Sequence, residues 1–569
     1  MRLARVRVQN YRGLQDVTVD IDTETVLVGE NNSGKTSFLE ALRACLQRLR
    51  SRRSAAFDSY DFYLANETAT PSNAPPIIIT ITFEEPAAGE WPANLLQALS
   101  GLTTLGAADK QSVILRVTAR VDGSTGEVVS EWEFLDVAGN ALTTREARTS
   151  GLSTVQALVP MFYLTALRDA AQHFDSRGQF WRPFLRDGSI DVRKREEIEA
   201  ALQELNDLIV ASHDTFARVR ENLERVQKVV VTAAGNTVAI DALPIRGFDL
   251  LTRTQVSFAA PGGARIPVAR HGEGTQSLAV LLLFDAFLRA RLESEADPLA
   301  EPILAMEEPE AHLHPNAVRS LYRLLKELLG QKVIATHSGD LLSEVDISSV
   351  RRFARTGSGV AVYRLRGGTL NGEEHRKFNY HVRSFRAELL FARCWLLVEG
   401  ETEITVLTEA SRQSGYDLVA AGVRCVEFAK AEPVMFIKIA NDLGIPCHYV
   451  LDGDSKGEEY RARLVPFLQG TPEADCITRL AYVDIEHLLC ESGFGNIYLK
   501  YVPASRTGEI TVAPGHADYW NQVLAAAGRN LTKPRAASEV AAAMQGEPPR
   551  PVPPSIRQIL DKAVELARR

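Results

Sequence analysis

The run Gly29-Glu30-Asn31-Asn32-Ser33-Gly34-Lys35-Thr36 constrains this chain more than any other eight residues. It matches GxxxxGK[ST], follows the apolar stretch Thr25-Val26-Leu27-Val28, and precedes an amphipathic stretch over about 35–50. Strand, glycine-rich turn and helix in that order commit the surrounding chain to an α/β layer. The glycines let backbone N–H groups wrap phosphates, Lys35 reaches the β- and γ-phosphates, and Thr36 ligates Mg²⁺. Gly29, Asn31, Asn32, Gly34, Lys35, Thr36 and Ser37 are the expected ATP contacts.

Such a loop needs a neighbouring strand that ends in acids, and Pro302-Ile303-Leu304-Ala305-Met306-Glu307-Glu308 has that form. Glu307 is expected to hold the nucleotide Mg²⁺ with Thr36, and Glu308 to polarise the attacking water as the catalytic carboxylate of ATP hydrolysis. Glu307 stands where Asp is more usual, and both are hard oxygen ligands. Val333-Ile334-Ala335-Thr336-His337 reads as a further strand whose His337 senses the γ-phosphate. Arg270-His271-Gly272-Glu273-Gly274-Thr275-Gln276-Ser277 opens an apolar helix. A glycine-rich helix start suits an anion, so Gly272, Gly274 and Gln276 are expected to meet a γ-phosphate held by a second protomer.

A second set of charges lies in the last third. Leu396-Leu397-Val398-Glu399-Gly400-Glu401-Thr402-Glu403 and Tyr449-Val450-Leu451-Asp452-Gly453-Asp454 each read as a buried parallel strand running into acids. Strand ends are where open α/β sheets place ligands. Glu399 and Glu403 are four apart, so both can point into one cleft if Glu403 starts a helix. Asp452 and Asp454 alternate around Gly453 and share a side. Four such acids repel one another unless a divalent cation lies between them, and Mg²⁺ takes oxygen ligands of this kind. Phosphodiester chemistry at a metal site is the expectation.

Between and beyond these sets, residues 2–9 and 17–22 alternate as strands, and 76–84 and 112–136 read as a β-meander. From about 170 to 232 the pattern is helical, with 193–208 and 212–229 amphipathic. This stretch reads as an insertion that mediates dimer contacts, or equally as a flank packed on the same core. The α/β pattern resumes with helix 275–293, strand 302–306, helix 315–329 and strand 332–336. Residues 347–385 read as a basic, irregular exit. Past Arg386 come a helix, strand 394–398, helix 401–413, strand 422–427, helix 431–443 and strand 446–451. A Pro/Ala/Gly-rich link over 536–554 leads to a last helix, 556–568.

At 569 residues, 45% hydrophobic and 24% charged, the chain exceeds one ordinary core. No apolar run is long enough for a membrane span and the first residues lack a signal-peptide core, so a cytoplasmic protein is expected. Six scattered cysteines without a CxxC pair argue against structural zinc or a disulfide framework. A net charge of −8 leaves any nucleic-acid binding to local patches.

The nucleotide motifs, with Glu308-Pro309-Glu310-Ala311-His312-Leu313-His314-Pro315 after the second acid, resemble ABC-type ATPases of the SMC/RecF class. That resemblance implies ATP-dependent dimer rearrangement, with His312 and His314 in a loop facing the partner. The pattern of Glu399, Glu403, Asp452 and Asp454 resembles a Toprim domain. An ATPase of this type followed by a Toprim domain, with Arg386-Ala387-Glu388-Leu389-Leu390-Phe391-Ala392 leading into it, resembles the standalone class 2 members of the OLD (overcoming lysogenization defect) nuclease family. The implied architecture is α/β. An ABC/SMC-like ATPase domain spans 1–169 and 233–385, a helical dimerisation segment is inserted over 170–232, and a C-terminal Toprim domain spans 386–569. The resemblance also implies a homodimer acting on DNA in phage defence or repair. Its cofactors are ATP and Mg²⁺ or Mn²⁺, two ions in the Toprim site and one with each nucleotide. Asp484 and Glu486 are expected to complete the metal pair, with Ser455 and Glu458 as additions, and Glu399 is central to the chemistry. A basic residue near the C-terminus stabilises the transition state in the family. Lys562 is the choice here over Lys533, Arg535 and Arg557.

Weaker candidates are Asp58 and Asp61 near the nucleotide metal, Arg168 and Asp169 at the dimer or ATP site, and the arginines over 43–53 as a DNA track. Two other functions compete: a RecF-like DNA-binding ATPase whose Toprim fold only binds, and a topoisomerase-like subunit. The four acids argue against the first, and the lack of a marked nucleophilic tyrosine against the second.

Overall fold

The computed structural model describes residues 1–49, 56–66, 68–164, 192–212, 257–259, 265–267, 270–276, 278–279, 281–282, 285, 299–311, 313–357, 359–384, 388–428 and 431–569. The expected helix over 212–229 beyond its first residue, Arg168, Asp169 and His312 lie outside them.

Alternation in Arg2–Tyr11 turns Val6, Val8 and Tyr11 inward and Arg5 and Arg7 outward. This strand pairs antiparallel with Leu14–Asp20 and Ile77–Glu84, and the sheet continues through Gln111–Val121 to Thr104–Leu105 and Val128–Leu135. A second sheet has six strands in the order Gly359–Tyr363, Val350–Thr356, Glu24–Gly29, Gln331–Ala335, Ile303–Glu307, Met161–Leu164. All its pairings are parallel except that of the first edge strand. The P-loop strand Glu24–Gly29 is central, with Gln331–Ala335 on one side and Val350–Thr356 on the other.

A third sheet is wholly parallel, in the order Val423–Glu427, Cys394–Val398, Cys447–Leu451, Ile477–Arg479. Cys394–Val398 and Cys447–Leu451 are buried throughout, as their unbroken apolar runs require. Two parallel-sheet layers, one with a P-loop and one with the Toprim order of strands and helices, are the ATPase-plus-Toprim α/β architecture expected from the sequence. Among the described residues no helix is long and apolar enough to cross a membrane.

Two expectations fail. Residues 347–385 are ordered as strands Val350–Thr356 and Gly359–Tyr363 and helix Gly372–Ser384. Basic residues hid the first strand, because Arg351 and Arg352 occupy buried positions with their guanidinium groups satisfied by carbonyls and, for Arg351, by the Asp22 carboxylate. The supposed link over 536–554 is largely the helix Lys533–Gln545. Pro534 fits its first turn, and Ala536, Ala537, Val540 and Met544 recur at helical spacing and pack it on Glu401–Gln413.

The ATPase and Toprim regions share one apolar core, running from Val26, Val28 and Ile334 through Phe378 to Trp395, Phe436 and Tyr449. At the seam Arg352, 6% exposed, donates to the carbonyls of Leu443, Gly444 and Ala392, each at 3.0 Å. Burial draws its pKa down to about 10. A charge so placed persists because three acceptors surround it. Beside it Asp442 accepts from the Arg366 backbone N–H at 2.9 Å and from the Thr369 hydroxyl at 2.5 Å.

Candidate nucleotide and metal sites

At the P-loop the glycines are obligatory. Gly29 (φ +150°) and Gly34 (φ +100°) lie in the glycine-favouring region. A Cβ at Gly29 would stand 2.3 Å from the Phe353 carbonyl oxygen, and one at Gly34 2.5 Å from Leu14 Cδ2. The fold therefore presses the loop against the strand Val350–Thr356. Lys35, 4% exposed, donates at 2.9 Å to the carbonyls of both Gly29 and Glu30. Desolvation draws its pKa down to about 8, opposed by the charges of Glu308, Glu30 and Glu307. Asn31, Asn32 and Thr36 are exposed around the loop, and Ser37 is half-buried.

Glu307 ends its strand opposite Ala335, and its Oε1 is buried without a hydrogen-bond partner. An orphaned hard oxygen beside Lys35 fits a nucleotide-bound cation, which Thr36 and Glu307 would hold. Glu308 follows at φ +44°, and His337 Nε2 lies 4.0 Å from its Oε1. Burial, then the Lys35 charge, lower the His337 pKa. Glu310, unremarked in sequence as a site residue, accepts from the Thr336 hydroxyl and from the His337 N–H at 3.3 Å, and so fixes the Thr336–His337 turn. Gly272 and Gly274 flank the start of a helical turn, where Gln276 donates to the His271 carbonyl at 2.7 Å.

The weaker candidates have structural occupations. Asp58 and Asp61 form a reciprocal cap on the turn Ser59–Asp61, and Asp61 pairs with Arg12 at 2.8 Å. His314 caps the helix Pro315–Glu327. Arg43 pairs with Glu40 at 3.0 Å and lies over the Tyr163 ring.

In the third sheet, the acids gather beyond the C-terminal ends of the strands. Glu399 follows Cys394–Val398, and its Oε1 accepts the Asp452 backbone N–H at 3.1 Å. Glu403 sits in the first turn of Glu401–Gln413, 7% exposed, with its Oε2 3.3 Å from where a Gly400 Cβ would be. Asp454 caps the helix Ser455–Leu464 through the Gly457 N–H at 2.7 Å. Asp484 caps Ile485–Leu489 and accepts from His487 Nδ1 at 2.5 Å. Glu486, 2% exposed, pairs with Lys533 Nζ at 3.0 Å.

Burial, then the charges of Glu399, Glu403, Asp484 and Glu486, push the Asp452 pKa up to about 8. Burial pushes Glu403 up to about 7, with Glu486 and Glu399 adding. Glu399 and Glu486 are also raised by burial, whereas His487 contributes to holding Asp484 low. Such mutual repulsion brings these carboxylates into one electrostatic neighbourhood. Among the described residues no three acids are already arranged to hold an ion. Each of Glu399, Asp454, Asp484 and Glu486 turns to a protein donor instead, which an ion would displace or share. The all-oxygen donor set, and the upward push on the pKa values of Asp452 and Glu403 that a positive charge would relieve, fit a hard divalent cation.

Residues 1–388 match the family described as "Protein of unknown function (DUF2813)". Residues 390–454 match the "Overcoming lysogenization defect protein-like, TOPRIM domain". The chain belongs to the DUF2813 family and carries an OLD-like TOPRIM domain. Uncharacterized protein YbjD of Escherichia coli K12 is 27% identical across 100% of this chain and 99% of its own. The OLD nuclease of Thermus scotoductus is 24% identical over 79% of this chain and 82% of its own. Endonuclease GajA of Bacillus cereus is 21% identical over 81% of this chain and 76% of its own.

In this DUF2813 chain the expected basic residue lies elsewhere. Lys562 pairs with Asp475 at 2.5 Å, and its charge acts on His448. Asp475 precedes Ile477–Arg479, and His448 is the second residue of Cys447–Leu451, so both mark the N-terminal edge of a parallel sheet. The acids lie off the opposite edge, about 13 Å away at strand rise. Lys533 occupies the acid cluster instead, because its helix begins beside the first turn of Glu401–Gln413.

Glu458 pairs with Arg461 at 2.9 Å and Arg479 at 3.4 Å, and Ser455 is exposed at the helix start. Arg479 was not anticipated; it donates to the Gly453 carbonyl at 2.6 Å and the Asp454 carbonyl at 3.2 Å. Gly453 itself admits no side chain, since a Cβ would lie 2.2 Å from the Tyr482 carbonyl oxygen.

Proposed function

We propose that this chain is a divalent-metal-dependent DNA nuclease whose Toprim site cleaves phosphodiesters under the influence of ATP bound at the P-loop. The observation that carries the reading is the convergence of Glu399, Glu403, Asp452, Asp484 and Glu486 around Lys533 at one sheet edge. Two of the relatives are named as nucleases, which supports the same chemistry. Two bound ions, Mg²⁺ or Mn²⁺, would activate the attacking water and stabilise the leaving oxygen. Glu399, Glu403, Asp452 and Asp454 would hold them, with Asp484 and Glu486 completing the set. Lys533 meets negative charge that develops on the phosphate. Arg479 keeps the Asp452–Asp454 turn rigid, and Ser455 and Glu458 border it.

At the P-loop, Lys35 would transfer its hydrogen bonds from carbonyls to phosphates, and Glu308 and His337 would face the γ-phosphate. A homodimer suits this arrangement, with Gly272, Gly274 and Gln276 presented to the partner's nucleotide. Leu205 and Leu208, exposed one turn apart on Val192–Ser212, offer an apolar face for the same contact. The domain limits 1–169, 170–232, 233–385 and 386–569 belong to the proposal.

The test is supercoiled plasmid with Mg²⁺ or Mn²⁺, with and without ATP, beside Glu399→Ala and Lys35→Ala. Metal-dependent nicking that disappears in Glu399→Ala supports the nuclease. Intact DNA in every condition, with ATP turnover lost in Lys35→Ala, leaves a DNA-binding ATPase instead.

A further inference from the structure

Three consecutive residues at the entrance to the Toprim sheet each grip a different part of the nucleotide site. Phe391 stacks on the sensor His337, ring centroids 6.4 Å apart and planes 15° from parallel. The Ala392 carbonyl accepts from Arg352, whose strand pairs with the P-loop strand and whose neighbour Phe353 crowds Gly29. Arg393 binds the Glu30 carboxylate through both Nε and Nη2, the latter at 2.7 Å. Glu30 is the second residue of the P-loop, and its own carbonyl holds Lys35.

On its other side Arg393 is anchored in the Toprim sheet. Its N–H donates to the Gly422 carbonyl at 2.8 Å, and its stem fills the space a Gly422 Cβ would need, 2.8 Å from Cγ. The next residues are the fully buried strand Cys394–Val398, which delivers Glu399. A parallel strand of this length is a stiff strut, about 20 Å from Arg393 to Glu399.

We propose that Arg393 is a positioning residue that couples the charge state of the P-loop to the placement of the Toprim acids. The proposal rests on the reading of the two sites as nucleotide and metal sites. A triphosphate brings negative charge beside Glu30, and the guanidinium bound to that carboxylate is what offsets it. Binding therefore strengthens the Arg393 grip and draws on the strut that ends in Glu399. By linkage, ligands at the acids change nucleotide affinity by the same factor.

The test is hydrogen exchange of the full chain with and without Mg²⁺-ATP, in wild type, Arg393→Ala, and the charge swap Arg393→Glu with Glu30→Arg. In wild type, ATP should slow exchange of amides at 394–399 and 452–454 by about threefold or more as well as at the P-loop. Arg393→Ala should keep the P-loop response and lose the distant one, and the swap should restore part of it. An identical distant response in Arg393→Ala, or none in wild type, overturns the proposal. DNA cleavage measured alongside separates the two ideas: an inert protein whose distant amides still respond defeats the nuclease reading and leaves the coupling standing.

Discussion

The two sites are electrostatic opposites made by one physical cause. At the P-loop a buried ammonium, Lys35, is ringed by carbonyls, and desolvation draws its pKa down to about 8. At the Toprim edge a half-buried carboxylate, Asp452, is ringed by other acids, and desolvation pushes its pKa up to about 8. Both groups meet near neutrality from opposite directions. Each site thus favours a ligand of the opposite sign, an anionic phosphate in one and a cation in the other. The difference shows how charge of either sign can be stored in one protein without the two neutralising each other, provided a stiff strand keeps them apart.

The comparison breaks most decisively if the sites are not separable. Glu399→Ala or Asp452→Ala should lower DNA cleavage by about 10³-fold, roughly 4 kcal/mol of barrier, while ATP binding, followed by calorimetry, persists. Loss of ATP binding in these variants would mean that the two charges form one site. Next in size, Lys533→Ala should lower kcat by about 10²-fold with KM nearly constant. Lys562→Ala should stay within about threefold. A reversal of that order in steady-state kinetics would return the transition-state role to Lys562.

A smaller effect tests the opposed shifts themselves. Between their ordinary carboxylate values and about 8 and 7, Asp452 and Glu403 hold protons in the folded chain that the unfolded chain has released. The folded state binds more protons there, so stability in chelator falls as pH rises through that window. From about 8 to 10.5 Lys35 does the reverse: the unfolded chain keeps its proton longer, and stability rises with pH. Urea melts across pH should trace a valley. Asp452→Asn should flatten its acid side, Lys35→Met its alkaline side, and Mg²⁺ should act only on the former if the acids are its site.

How much of this was legible in sequence follows the same divide. The P-loop is eight adjacent residues whose spacing dictates their geometry, and Glu307, Glu308 and His337 follow from the strands that flank it. The core Toprim acids were readable because each pair closes an apolar run. What escaped depends on packing. Arg351 and Arg352 made a buried strand look like a basic loop, since nothing local announces that carbonyls from distant segments will satisfy them. Lys533 escaped because alanine and proline read as a link, although Pro534 followed by Ala536, Ala537, Val540 and Met544 carried the helical period. Choosing between Lys533 and Lys562 required knowing which helix starts at which sheet edge, and spacing alone does not supply that.

The guanidinium of Arg352 has a consequence for how such proteins can be recombined. It belongs by chain order to the ATPase region, yet all three of its acceptors, Ala392, Leu443 and Gly444, lie in the Toprim region. A Toprim module transplanted onto another ATPase would bring carbonyls shaped around a cation its new host does not provide. Chimeras should therefore survive when the exchange carries both faces of that contact, so the unit of inheritance is the pair.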